Sequence, residues 1–187
     1  GSLEAIKKEK GVLAARTRRC VLGASAAELA KEGDLVMGRD FDVEDVELSL
    51  EGTKFRLRLP DGALSISVPV LGRHAAEEVA LADALCSLLG MTNEEIGKGI
   101  ETIRPVEHRL ERRDGGEVVI LDDAYNANAA GARNALEVLR LASGKKVVVT
   151  PGIVELGQLE EQVNAELGAE LVGLDLVILV GETLVLD

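Results

Sequence analysis

Asp122 and Asp123 close an apolar run, Val118 to Leu121, and the next residues, Ala124 to Asn128, bring a tyrosine and two asparagines before a helical pattern resumes at Gly131. A carboxylate at the end of a buried strand is partly desolvated. There it can hydrogen-bond a ribose hydroxyl or a metal-bound water, and the helix that follows presents free N–H groups to anions. The same carboxylate is also a common cap for the next helix. On residue type alone both readings of Asp122 and Asp123 stand. Tyr125 is the single tyrosine in a chain with only 2% aromatics, which marks the same turn.

A second candidate lies in "TPGIVELG", Thr150 to Gly157, where Gly152 and Gly157 bracket a loop after an apolar strand. Glu155 within it either faces a strand-end cleft or stands in solvent. A phosphate loop needs an early glycine, a lysine, and then a Ser or Thr opening a helix. The nearest stretches are "ASGKK" at Ala142 to Lys146 and "GKG" at Gly97 to Gly99, and neither has that spacing. His108 reads as a linker residue: no second His, Cys or carboxylate at ligand spacing supports a metal role, and no metal ligands are predicted. Cys20 and Cys86 lie far apart and read as buried thiols in a reducing compartment.

The elements that must position these residues are legible from periodicity. Leu3 to Lys10 reads as a short helix end, Arg19 to Leu22 as a strand, and "SAAELAKEGD" as a capped helical turn or loop. From Val43 to Pro69, "VELSLEG", "KFRLRLP" and "LSISVPV" alternate apolar with polar residues between turn-forming "EGT" and "PDGA", which predicts an antiparallel meander with one wet face. Two helices follow, the first stopped by Gly90 and the second capped by Thr92 or Asn93. Pro105 then marks the predicted domain boundary, ahead of a charged linker, "VEHRLERRDGGE". Beyond it, apolar strands at Val118 to Leu121, Lys146 to Thr150 and Leu174 to Val180 alternate with helices at Gly131 to Leu141 and Leu159 to Leu171. Such alternation predicts a parallel sheet covered on both faces, with its ligand crevice at the carboxyl ends of the strands.

Composition narrows the partners. With 33 acidic against 21 basic residues, a net charge of −12 and a 47% hydrophobic share, the chain reads as globular and repels nucleic acid and anionic lipid. Arg16 to Arg19 holds three arginines without an aromatic to stack a base, and reads as a solvated turn. No apolar run reaches the length of a membrane span, and Gly1 to Gly11 lacks the apolar core of a secretory signal, so the cytoplasm is the expected location.

"GRH" at Gly72 to His74 with "LADALCSLLG" at Leu81 to Gly90, "HRLE" at His108 to Glu111, and "DDAYNAN" at Asp122 to Asn128 resemble, in this order and spacing, the Mur ligases. These are ATP-dependent enzymes that build the peptide stem of bacterial cell-wall precursors. The opening, Gly1 to Gly11, looks like the helix in the middle of that family's ATP-binding domain. The resemblance implies an α/β fold in two parts. Residues 1–105 would end a central ATP-binding domain with an antiparallel meander and two helices, and residues 106–187 would form an incomplete Rossmann-like parallel α/β domain. It also implies ATP and Mg2+ as cofactors, with a UDP-muramoyl peptide as substrate. For the branch that "DD-x-YNAN" resembles, D-alanyl-D-alanine is the amine, and the two are joined through an acyl phosphate.

Residue by residue, the resemblance puts Arg109 and Asp123 against the ribose and phosphates of ATP. Tyr125, Asn126 and Asn128 line the same turn, and His74 opens the adenine-side helix; Glu155, read from its own loop, either faces the cleft of the incoming amine or stands in solvent. No residue of this chain is carried over as catalytic. Two departures stand out: Ala75 and Glu78 occupy positions where the family usually has asparagines, and Ala129 replaces a frequent proline. Because a phosphate loop is missing, the resemblance implies a piece of a ligase, inactive alone, from a monomeric parent enzyme. The alternatives are a ligase adding a different amino acid and an inactive Rossmann-like module kept for binding or assembly.

Overall fold

The computed structural model describes residues 3–59 and 62–181. The chain divides into two compact units. Gly1–Glu47, Lys54–Val68 and His74–Ile103 form the first, and Leu48–Thr53, Pro69–Arg73 and Arg104–Asp187 form the second.

In the first unit, helix α1 (Leu3–Arg16) runs past the expected stop at Lys10. Gly11 sits in its middle, where glycine costs roughly 1 kcal/mol against alanine. It is the point at which Leu29 approaches the helix, 3.5 Å from where a Cβ would stand. Strand β1 (Val21–Leu22), shorter than predicted, pairs in parallel with β2 (Leu35–Val36) around a 3-10 turn at Ala24–Leu29. Asp34 ties this ribbon together: its carboxylate accepts from Cys20 N at 2.7 Å and Lys31 N at 2.8 Å. Those backbone bonds, Lys31 first and then Cys20, hold the Asp34 carboxyl below its ordinary range.

The predicted meander is a three-stranded sheet, β3 (Asp42–Ser49), β4 (Gly52–Leu59) and β5 (Gly62–Val68), in sequential order. Two residues between consecutive strands leave no length for a crossover, so the pairings are antiparallel. Phe55, Leu57, Leu59, Ile66 and Val68 are buried while Lys54 and Arg56 point to solvent, as the alternation requires. Helix α2 (Arg73–Leu88) buries Ala75, Ala76, Val79, Ala80, Asp83 and Ala84, one stripe at helical spacing. Helix α3 (Asn93–Ile100) is opened by Thr92 in a capping box with Glu95 and packs along β5 through a buried Ile96.

In the second unit, the stretch expected to be a charged linker contains strand β6 (Glu111–Asp114). It forms an antiparallel hairpin with β7 (Val119–Asp122), Glu111 opposite Asp122 and Asp114 opposite Val119. The turn closes through Gly115 N to Val118 O at 2.9 Å, with Gly116 at φ +80°, a left-handed position that glycine takes without strain. "DGG" is a hairpin signal, and it outweighs the charge of the strand before it.

Helix α4 (Ala129–Leu139), strand β8 (Val147–Thr150), helix α5 (Glu160–Leu171) and strand β9 (Leu176–Leu179) follow in the predicted alternation. Strands β8 and β9 pair in parallel, Val147 opposite Leu176 through Thr150 opposite Leu179. Two expectations change. The ladder of β7 runs to β6 and not to a parallel neighbour, and among the described residues only one face of β8 and β9 is covered. On that face Val148 and Val177 pack with Leu136, Ile153, Leu167 and Leu171. On the other, Val147, Val149, Leu176 and Ile178 are exposed. A smaller cluster, Leu71, Leu110 and Val138 with Leu50, Ala135 and Leu121, fixes the hairpin to α4.

Candidate functional site

The carboxyl end of β7 and the approach to β6 are built as one piece. His108 and Leu110 both adopt left-handed backbone, φ +61° and +47°, conformations that cost a non-glycine residue about 1 to 2 kcal/mol each. Three attachments over-determine them. Leu110 N donates to Asp123 Oδ1 at 3.0 Å, Tyr125 N donates to His108 O at 3.2 Å, and the Leu110 side chain is buried. Arg109, between the two strained residues, is exposed, and its guanidinium carbon lies 4.0 Å from the centroid of the Tyr125 ring. An arginine stacked in this way keeps its in-plane N–H donors for an anion.

Asp122 anchors the other side. Its Oδ2 lies 2.9 Å from His108 Nδ1 and accepts from Arg113 Nη1 at 2.9 Å, and its Oδ1 accepts from Ala124 N at 3.2 Å. His108 first, and Arg113 next, hold this carboxyl below the usual aspartate range, and the Arg113 guanidinium is raised in return. Glu111 stands opposite Asp122 on the ladder, so these two donors also offset a like-charge pair.

The structure brings Arg109, Asp123 and Tyr125 together, with the exposed Asn126 on the same turn. Asn128 is the N-cap of α4, its Oδ1 accepting from Gly131 N at 2.9 Å, so that oxygen is occupied by the helix. His74 lies in the first unit, in the first turn of α2. Its Nδ1 is buried and has no hydrogen-bond partner among the described residues. Ala75 is buried in the helix stripe, whereas Glu78 is exposed. Glu155 is exposed on the loop after β8, again with left-handed backbone at φ +66°.

Sequence reasoning missed the partners of Asp122, His108 and Arg113. The signal was present in "DGG": the hairpin it specifies puts Asp122 opposite Glu111 and diagonal to Arg113. No group of three or more His, Cys, Asp or Glu side chains among the described residues is placed to hold a metal ion.

Comparison with known proteins agrees with this architecture. Residues 108–186 match the model of the Mur ligase, glutamate ligase domain. The chain is 32% identical over 146 residues to the UDP-N-acetylmuramoyl-tripeptide--D-alanyl-D-alanine ligase of Escherichia coli (strain K12), a match covering 76% of this chain and 32% of that enzyme. It is 33% identical over 134 residues to the enzyme of the same name from Bacillus subtilis (strain 168), covering 70% of this chain and 29% of that one. Among solved structures, MurF from Acinetobacter baumannii matches with a TM-score of 0.86 at 27% identity, over 97% of this chain and 43% of that one. The chain belongs to the Mur ligase family. It spans about a third of the length of the curated relatives it matches.

Proposed function

We propose that this chain contributes to an ATP-dependent amide ligase that joins D-alanyl-D-alanine to a UDP-N-acetylmuramoyl tripeptide in peptidoglycan precursor synthesis. In this reading residues 1–105 end a central ATP-binding domain, and residues 106–187 belong to the carboxy-terminal ligase domain. The observation that carries it is Arg109 held over Tyr125 beside Asp123, at a strand end that runs into the amino terminus of α4.

The donor set fits a nucleotide. Arg109 offers a planar cation to a phosphate oxygen, Asp123 a carboxylate to a ribose hydroxyl, and Tyr125 and Asn126 an exposed wall on the same turn. Asn128 acts by capping α4 and so setting the direction of that turn. His74 keeps the adenine-side role that the family resemblance gives it. When bound, ATP supplies the phosphoryl group that activates the peptide carboxylate for attack by the amine. The described residues do not form a magnesium cage, and no step is assigned to that ion. Glu155, on the loop after β8, is assigned to the amine.

The test uses the full-length protein carrying this chain, with ATP, magnesium, the UDP-muramoyl tripeptide and a panel of amines. Amide product and phosphate release with D-alanyl-D-alanine, and not with L-lysine or diaminopimelate, are expected. Product with one of the latter would make it a ligase for a different amino acid. Nucleotide binding without turnover on any amine would leave the inactive binding module as the better reading.

A further inference from the structure

The backbone of the loop that leaves β8 is hydrogen-bonded by one side chain from α5. Asn164 Oδ1 accepts from Ile153 N at 2.8 Å, and Asn164 Nδ2 donates to Ile153 O at 2.8 Å and to Glu160 O at 2.9 Å. One amide thus takes both backbone polar groups of Ile153, as an adjacent strand would. Below it, the Ile153 side chain is 2% exposed and packs with Leu136, Leu167 and Leu171. Thr150 Oγ1 adds a third tie by accepting from Gly152 N at 3.0 Å. Two residues past this anchor, Glu155 sits in left-handed backbone although it is exposed and not a glycine. Such a conformation persists where the flanking chain is fixed, and Ile153 is the fixed point. An apolar residue at 164 would suit the leucines around it, but it would leave two half-buried backbone groups without these protein partners.

We infer that Asn164 is a positioning residue for the acceptor side of the site: it sets Ile153, and through Ile153 the turn from which Glu155 meets the incoming amine. The inference rests on the reading of residues 150–157 as a wall of the amine site. Asn164 works on the acceptor and not on the nucleotide, because its bonds to Ile153 end on the loop after β8, whereas Arg109 and Asp123 are attached to the β6 and β7 hairpin.

The experiment compares the full-length protein with Asn164→Ala and Asn164→Asp. Backbone amide exchange over residues 150–157 is measured beside steady-state kinetics in both ATP and D-alanyl-D-alanine. In Asn164→Ala, exchange at Ile153 and Glu155 should accelerate about tenfold while β8 and α5 keep their protection, and the KM for the dipeptide should rise about tenfold with the KM for ATP within about twofold. Asn164→Asp keeps the acceptor for Ile153 N but sets a carboxylate against the carbonyls of Ile153 and Glu160. Its defect should therefore shrink as the pH is lowered and the protonated acid regains one donor, a recovery that Asn164→Ala does not share. Unchanged exchange at Ile153, or an equal rise in both KM values, would overturn the inference. A wild-type protein that joins no amine to the tripeptide would overturn the ligase reading and the acceptor role together, and the exchange data would still decide what Asn164 holds. If Asn164→Ala fails to fold, the nearly isosteric Asn164→Asp decides the matter through its pH profile.

Discussion

Arg109 is the residue on which the nucleotide reading bears most directly. It is exposed, its backbone is pinned on both sides by strained residues, and its guanidinium is already ordered by the Tyr125 ring. Little side-chain entropy is left to lose when an anion arrives. In the full-length protein, Arg109→Ala should raise the KM for ATP by tenfold or more, since a charge-assisted hydrogen bond is worth about 1.5 to 3 kcal/mol. Arg109→Lys should recover part of the charge but not the stacked, planar donor geometry. An ATP KM unchanged in both variants would remove Arg109 from the site. Asp123 is less simple to test, because its Oδ1 also holds Leu110 N, so its removal disturbs the turn as well as any ligand.

Among the elements, α2 carries a group that its own stripe does not explain. Asp83 is 6% exposed among alanines and valine, and its Oδ2 has no hydrogen-bond partner among the described residues. Burial pushes its carboxyl up from 3.8 to about 6. The folded protein therefore holds a proton there that the unfolded chain releases near the ordinary aspartate value. The stability tied to Asp83 is full below about pH 4, is lost as the pH rises towards 6, and is level above that. At about 1.4 kcal/mol per pH unit the change is roughly 3 kcal/mol. Asp83→Asn should lose this dependence, so that urea unfolding of wild type and variant converges at acid pH and favours the variant at pH 7.5. Parallel profiles from pH 4.5 to 7.5 would mean that Asp83 is solvated or partnered. The depressed carboxylates, Asp34, Asp40, Glu95 and Asp122, act in the opposite sense: their contribution is lost as the pH falls below their ordinary values, 3.8 for the aspartates and 4.5 for Glu95.

For the whole molecule, the expected boundary at Pro105 leads to a prediction about cleavage. Arg104 to Glu107 are exposed and lie outside any helix or strand, while Glu111–Asp114, once expected to share that character, is paired in a hairpin. Limited proteolysis with a glutamate-specific protease should therefore cut first at Glu107, and later at Glu111 in β6. A first cut in the β3 to β5 sheet would place the division of the chain elsewhere.

The sequence by itself determined what depends on neighbours a few residues away. The alternation from Val43 to Pro69, the stripe of α2, the cap at Thr92 and the strand, helix, strand order after Val118 all follow from local periodicity and turn chemistry, and the structure has them. Local chemistry also put the candidate site at the end of β7. Tertiary structure decided which side chain there does what. Asp122 and Asp123 are adjacent and chemically identical, yet one meets His108 and Arg113 and the other meets Leu110 N, because Asp122 is the last residue of the ladder and Asp123 lies past its end. Asn126 and Asn128 differ in the same way, only the second standing where a helix begins. The partner of β7 and the hold of Asn164 on Ile153 depend on residues that folding alone brings within hydrogen-bond reach, and no window of sequence contains that distance.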